Sequence, residues 1–262
     1  MLRPKKSLGQ NFLIDKNIIK NIVNLGSIKN EDHILEVGPG TGNLTNEIIN
    51  QNPKKIYVVE KDKSLSIELE KKYNNLIKIF NNDILNFDES LITSEKLIIF
   101  GNLPYNISTQ ILVNWIINEK RFNCIKKLIL MFQKDVADRI ISKVNNKSYG
   151  RISIISNWRF EIKKVFDVPN NCFFPKPKVQ SSILIFKPKK EYIKFKNPKN
   201  LEYVTNIFFS KKRKMINKGL NELFKNNFHL IKHLNLNLKQ RPSNLDFEIY
   251  YTLTKILEDL RN

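Results

Sequence analysis

The chain has 262 residues, 45 of them Lys or Arg against 25 Asp or Glu, for a formal charge of +20. Cys124 and Cys172 are too few for a disulfide framework, and no apolar run approaches membrane-spanning length. A stapled secreted domain and a spanning helical protein are thereby excluded, and a cytosolic protein with a polyanionic partner is the reading that remains.

The opening Met1-Leu2-Arg3-Pro4-Lys5-Lys6 is basic but runs into Gly9-Gln10-Asn11 rather than an apolar stretch, so it reads as a binding segment and not a signal peptide. Strand and helix patterns alternate from about Asp32 to Phe132, which predicts a parallel sheet. The first strand, Asp32 to Val37, runs into Gly38-Pro39-Gly40-Thr41-Gly42 and a helical stretch from Leu44 to Ile49. Glycines there allow a tight turn and close approach of backbone to a ligand. The spacing is not that of a dinucleotide loop, because G-x-G-x-x-G from Gly38 needs a third glycine where Asn43 stands. The acid before the loop, Glu36, suits a ligand with an ammonium group, as in the methionine moiety of S-adenosylmethionine.

Further acids end the next strand-like runs. Glu60 follows Ile56 to Val59 and is placed to accept from ribose hydroxyls. Asp62 is a candidate N-cap for a helix from Lys63 to Lys72. Asp83 follows Leu76 to Phe80 and is placed to accept an adenine amino hydrogen, with Ile84 packing on the ring. Each acid alone is equally a helix cap or a solvated loop charge. After the run Lys96 to Gly101 stands Asn102-Leu103-Pro104-Tyr105. The Asn102 side-chain oxygen and the Leu103 carbonyl can both accept from one exocyclic amine, Pro104 fixes the backbone between them, and Tyr105 offers a ring for stacking. An Asn-Pro turn leaving a buried strand is the competing reading. Together with the acids, the set points to methylation of adenine.

Trp158 to Val168 and Ser181 to Phe186 read as strands forming an antiparallel edge on the same sheet. After Pro188 the strand signal fades, and Leu201 to Phe209, Lys211 to Phe224 and Phe247 to Leu260 read as amphipathic helices. The expected class is α/β, a Rossmann-like methyltransferase sheet over residues 1–188 with a small all-helical domain over 189–262. Lysines at 187, 189, 190, 194, 196 and 199 form one basic cluster, and Lys211, Lys212, Arg213, Lys214 and Lys218 another. At helical spacing the second covers more than one face, so it is a candidate RNA-binding surface or a solvated helix face. His229 and His233 are four apart but have no third ligand in view, and no metal site is read. The charged surface shows no apolar seam, which points to a monomer.

The order of these motifs resembles the KsgA-type small-subunit (16S) ribosomal RNA adenine dimethyltransferases along nearly the whole chain. The segments that carry the resemblance are Lys6 to Leu13, Glu36 to Gly42, Glu60, Asn82-Asp83, Asn102 to Ser108, Tyr149-Gly150-Arg151, Phe173 to Val179, Phe208 to Lys214 and Arg241 to Leu245. The resemblance implies S-adenosylmethionine at Asn11, Leu13, Gly38, Glu60, Asp83 and Asn102, and a target-base pocket of Asn102, Leu103, Tyr105 and Phe173, with Phe174 the neighbouring candidate. It also implies that the N-terminal arm, residues 1–14, folds over the cofactor, with Gln10, Asn11 and Leu13 closing the site while Lys5 and Lys6 approach RNA. The implied substrate is 16S rRNA in the small subunit or its precursor. Lys176 between two prolines and the Lys/Asn-heavy surface depart from the family pattern. Large-subunit adenine methyltransferases of the macrolide-resistance type share the loop and a similar Asn-x-Pro-Tyr motif, but the arm and Phe208 to Lys214 favour the small-subunit enzymes. A ribosome assembly factor without catalysis is the non-enzymatic alternative.

Overall fold

The fold is that of a computed structural model describing residues 4–5, 8–225 and 227–261; Lys6 and Ser7 of the arm lie outside them. Its strands are β1 (Phe12–Leu13), β2 (His33–Val37), β3 (Lys55–Glu60), β4 (Lys78–Asn81), β5 (Leu97–Asn102), β6 (Ile125–Gln133), β7 (Phe160–Val168), β8 (Phe173–Phe174) and β9 (Ser181–Pro188). Seven of them form one sheet in the order β4-β3-β2-β5-β6-β9-β7. Strands β2 to β6 pair in parallel, with the largely buried apolar runs of β2, β3, β5 and β6 typical of strands covered on both faces and the short, partly exposed β4 at the edge. β9 then lies antiparallel on β6, from Leu128↔Phe186 to Gln133↔Ser181, the edge expected from the sequence.

β2 has β3 on one side and β5 on the other, so the strand order reverses at its edge. Crossover helices leave in opposite directions at such a point, and a crevice opens beyond the carboxyl ends of the strands. Glu36 and the glycine loop, Glu60, Asp83 and Asn102 all stand at that end of β2, β3, β4 and β5. The helix Lys63–Tyr73 begins where expected, with the Asp62 carboxylate accepting from Ser64 N–H.

The chain divides into two compact units, one holding the described residues up to Ala137 with Glu161–Pro188, the other Asp138–Phe160 with the described residues from Lys189. The expected division kept everything before 188 in the sheet domain. In the structure the helix Arg151–Arg159 belongs to the helical unit, because Tyr251 Oη donates to the Ile154 carbonyl at 2.9 Å and Tyr149 Oη to that of Leu245 at 2.9 Å. Two boundaries also differ from the sequence reading. Trp158 lies in the last turn of that helix instead of starting a strand, its ring packed 4.7 Å from Phe195 and its Nε1–H donating to the Ile193 carbonyl. The helix expected from Lys211 begins only at Asn217, since Lys211 leaves helical geometry (φ −123°, ψ 42°) and a turn separates it from Lys199–Ser210.

One buried ion pair holds the segment after β4. Glu89 accepts from Arg121 Nε at 2.7 Å, Arg121 Nη2 at 2.6 Å and Trp115 Nε1 at 2.7 Å, while Nη2 also donates to the Ile84 carbonyl at 3.0 Å. Removing one partner of such a pair strands a buried charge, so Arg121→Met is expected to lower the unfolding free energy by about 3–5 kcal/mol in urea denaturation. Adding Glu89→Gln should restore part of that loss, and an unshifted midpoint in the single variant would show that the pair does not hold this loop.

Candidate active site

Gln10, Asn11, Leu13, Glu36, Gly38, Gly40, Glu60, Asp83, Asn102, Leu103 and Tyr105 line one cavity at the carboxyl ends of the parallel strands. The glycine loop forms its floor. Gly40 has φ +58°, and a Cβ there would lie 2.6 Å from the ring of Phe12, so both its dihedral and the close approach of β1 exclude a side chain.

Two carboxyl groups are buried beside this loop. Glu36 accepts from the Thr45 hydroxyl at 2.6 Å, and burial pushes its pKa up to about 7, with the Thr45 bond opposing the shift and the Glu60 charge adding to it. Burial also raises the pKa of Glu60, against the N–H groups of Asp62 at 2.8 Å and Gly40 at 3.3 Å that favour its charged form. Each carboxyl keeps acceptor capacity beyond these bonds. Asp83 behaves oppositely. Burial raises it, but the Lys61 ammonium at 2.7 Å and the Leu85 N–H at 3.0 Å outweigh that and hold the carboxyl below its usual range.

Asn102 is the most informative side chain. Its amide reaches the Asn11 backbone carbonyl at 3.0 Å. A carbonyl can only accept, so Nδ2 faces Asn11 and Oδ1 is turned the other way. Among the described residues no donor reaches Oδ1 or the Leu103 carbonyl. The Tyr105 hydroxyl pairs with Ser181 Oγ at 2.6 Å, which fixes the ring, and burial raises its pKa so that it stays protonated.

The arm is joined to the site by contacts that the sequence did not reveal. Asp62 accepts from Lys5 Nζ at 2.8 Å and Gln10 Nε2 at 3.1 Å in addition to capping its helix. Asn43, the residue that breaks dinucleotide spacing, donates to the Leu13 carbonyl at 2.8 Å. A polar side chain where a glycine was sought was the available signal for it. Lys5, expected to face RNA, is instead paired with Asp62, and Lys6 lies outside the described residues.

Phe173 is not brought to the cavity wall. It is 3 % exposed and packs in the core with Leu13, Val168 and Ile183, because it pairs with the inward-facing Leu13 in β8. The basic run also divides. Lys212 donates to the Lys147 and Tyr149 carbonyls at 2.8 Å each, and Lys211 lies 3.5 Å from Glu222, whereas Arg213 and Lys214 are exposed.

A reversed parallel sheet with an antiparallel β9, a glycine loop after β2 and acids ending the adjacent strands define an S-adenosylmethionine-dependent methyltransferase. The chain belongs to the ribosomal RNA adenine dimethylase family, whose profile matches residues 1–259. It is 50 % identical over 260 residues to ribosomal RNA small subunit methyltransferase A of Pelagibacter ubique (strain HTCC1062), covering 99 % of both chains. The corresponding protein of Malacoplasma penetrans (strain HF-2) is 40 % identical, covering 97 % of this chain and 92 % of the other. A dimethyladenosine transferase from Plasmodium falciparum superposes with a TM-score of 0.79 at 25 % identity, over 92 % of this chain and 95 % of that one. The 23S rRNA methyltransferase ErmE shares the fold, with a TM-score of 0.68 at 22 % identity over 95 % and 99 %.

The buried Glu36 carries a pH signature. Its folded pKa of about 7 exceeds the usual 4.5, so its neutral form is favoured by folding, and the stability this one group contributes is full below pH 4.5 and is lost as pH rises to about 7. Glu36→Gln should remove that decline, on the order of 3 kcal/mol, when urea midpoints of the two proteins are compared across this window. Parallel pH profiles would place the Glu36 proton elsewhere.

Proposed function

We propose that the protein transfers methyl groups from S-adenosylmethionine to the 6-amino group of adenosines in small-subunit 16S rRNA, dimethylating two adjacent adenosines in a loop near its 3′ end during ribosome biogenesis. It acts as a cytoplasmic monomer. The observation that carries this reading is the Asn102 amide, oriented by Asn11 so that Oδ1 and the Leu103 carbonyl remain as two acceptors beside the cofactor loop. Names of relatives at 50 % and 40 % identity support the substrate class.

The cavity residues fit the cofactor by their chemistry. Glu36 answers the ammonium group, Glu60 the ribose hydroxyls, Asp83 and Ile84 the adenine, and Gly38, Gly40, Gln10, Asn11 and Leu13 the close approach of floor and arm. Bound there, S-adenosylmethionine supplies an electrophilic methyl group on a sulfonium. The lone pair of an adenine amine is delocalised into the ring. Asn102 Oδ1 and the Leu103 carbonyl, by accepting both amine hydrogens, favour a pyramidal nitrogen whose lone pair is aimed at the methyl carbon. Tyr105, anchored by Ser181, stacks on the extruded base and offsets part of the few kcal/mol that unstacking costs. The proton leaves to solvent, because the methylated ammonium is far more acidic than the resting amine.

The test is labelled methyl transfer to small subunits lacking the modification, followed by nucleoside analysis. Dimethyladenosine in the small-subunit RNA is expected; label only with large-subunit RNA, or none despite tight subunit binding, overturns the reading. Asn102→Ala should cut transfer by about 100-fold or more while subunit binding persists, the loss typical of removing one preorganised group at the reacting centre.

Arg213 and Lys214 are exposed cations of the basic turn with no ion pair among the described residues, unlike Lys211. Alanine at either should reduce the slope of log Kd against log salt for subunit binding by about 1. The same change at Lys212, which holds two carbonyls, should instead lower thermal stability. Wild-type slopes for the Arg213 and Lys214 variants would remove this turn from the RNA interface.

A further inference from the structure

The two-stranded ribbon of β1 and β8 sets Phe12 opposite Phe174 and Leu13 opposite Phe173. Directly opposed residues project to one face, and successive pairs alternate. Leu13 and Phe173 face the core at 6 % and 3 % exposure. Phe12 packs over Gly40 on the cavity wall, and Phe174 beside it is 60 % exposed. Ile14, two residues beyond Phe12 on the same face, is 50 % exposed and joined to the ribbon through its N–H to the Cys172 carbonyl. An uncovered aromatic ring therefore borders the cavity mouth. Lys176 and Lys178 follow it, both exposed and neither ion-paired among the described residues.

We propose that Phe174 is a stacking platform for an unpaired RNA base flanking the target adenosine, with Lys176 and Lys178 set against the adjoining phosphates. This rests on the rRNA reading above. A flat ring with cations two and four residues away matches a single strand, in which each base carries a π face and each linkage a negative charge. Pro175 and Pro177 lack N–H donors, so the backbone there offers no anion site at those positions and the lysine ammonium groups take that role. The same prolines restrict the segment, which lowers the ordering needed on binding.

Steady-state and single-turnover methylation of unmodified small subunits by wild type, Phe174→Ala, Phe174→Leu and Phe174→Trp tests the assignment, with circular dichroism to check folding. Alanine and leucine are expected to lower kcat/KM for the subunit by about 5- to 150-fold, the ~1–3 kcal/mol of a base-on-aromatic stack. The rate at saturating subunit and the KM for S-adenosylmethionine should not change, and tryptophan should retain wild-type behaviour. Rescue by leucine would reassign Phe174 to apolar packing. A fall in the saturated rate would move it to the target base itself, and unchanged kcat/KM in every variant would discard it as an RNA contact. Absence of methylation by the wild-type protein would sink the rRNA reading, and this proposal with it.

Discussion

The burial of two carboxyl groups near the carboxyl ends of adjacent strands, Glu36 in β2 and Glu60 ending β3, is the constraint around which the site is arranged. A carboxylate taken from water without partners is strongly disfavoured. The Thr45 hydroxyl meets one, and the Gly40 and Asp62 N–H groups meet the other. Those donors dictate local structure. Thr45 must sit in the first turn after the loop, and the loop must bend so that the Gly40 N–H points at β3. The acceptor capacity that the protein's own donors leave unused is complementary to a ligand bearing an ammonium group and hydroxyls, the chemistry on which the proposed cofactor role rests.

The arm is the second layer, and it is held through the same group of residues. Asp62 donates its N–H to Glu60 while its carboxylate takes Lys5 and Gln10, so the residue that caps a helix also joins the arm to the acid at the end of β3. Burial raises the Asp62 pKa, but Lys5, Gln10 and Ser64 outweigh it and keep the carboxyl below its usual range, hence charged and able to hold the arm at neutral pH. The Asn11 carbonyl then orients the Asn102 amide. The arm therefore fixes which way the Asn102 amide faces, with Nδ2 toward Asn11 and Oδ1 turned the other way.

Much of this was legible in the sequence because it is local. Period and composition mark the parallel strands, glycines mark the loop, and acids follow apolar runs at fixed positions, so eleven of the twelve expected cavity residues meet there, Phe173 being the exception. What escaped was set by side-chain direction or distant partners. A two-residue strand gives no periodicity, so nothing in Phe173-Phe174 tells which ring is inside until pairing with Phe12 and Leu13 decides it. The helix Arg151–Arg159 reads locally like any other. Its place in the helical unit depends on partners about a hundred residues away, the Tyr251 hydroxyl on Ile154 and the Leu245 carbonyl that takes the hydroxyl of neighbouring Tyr149.

Charge is the clearest case of composition saying less than geometry. A formal +20 implies a polyanion, yet many of the cations are committed within the fold. Lys5 pairs with Asp62 and Lys61 with Asp83, Lys134 and Lys164 share Asp167, and Lys127, Lys189 and Lys212 donate to backbone carbonyls. An ammonium already hydrogen-bonded must give up those contacts to reach a phosphate, so it adds little to counterion release. Among the described residues, Arg213 and Lys214 in the helical unit and Lys176 and Lys178 after Phe174 are exposed cations with no such commitment. In the sheet unit the exposed ring of Phe174 stands within five residues of Lys176 and Lys178, so one short segment carries both a flat apolar face and uncommitted positive charge.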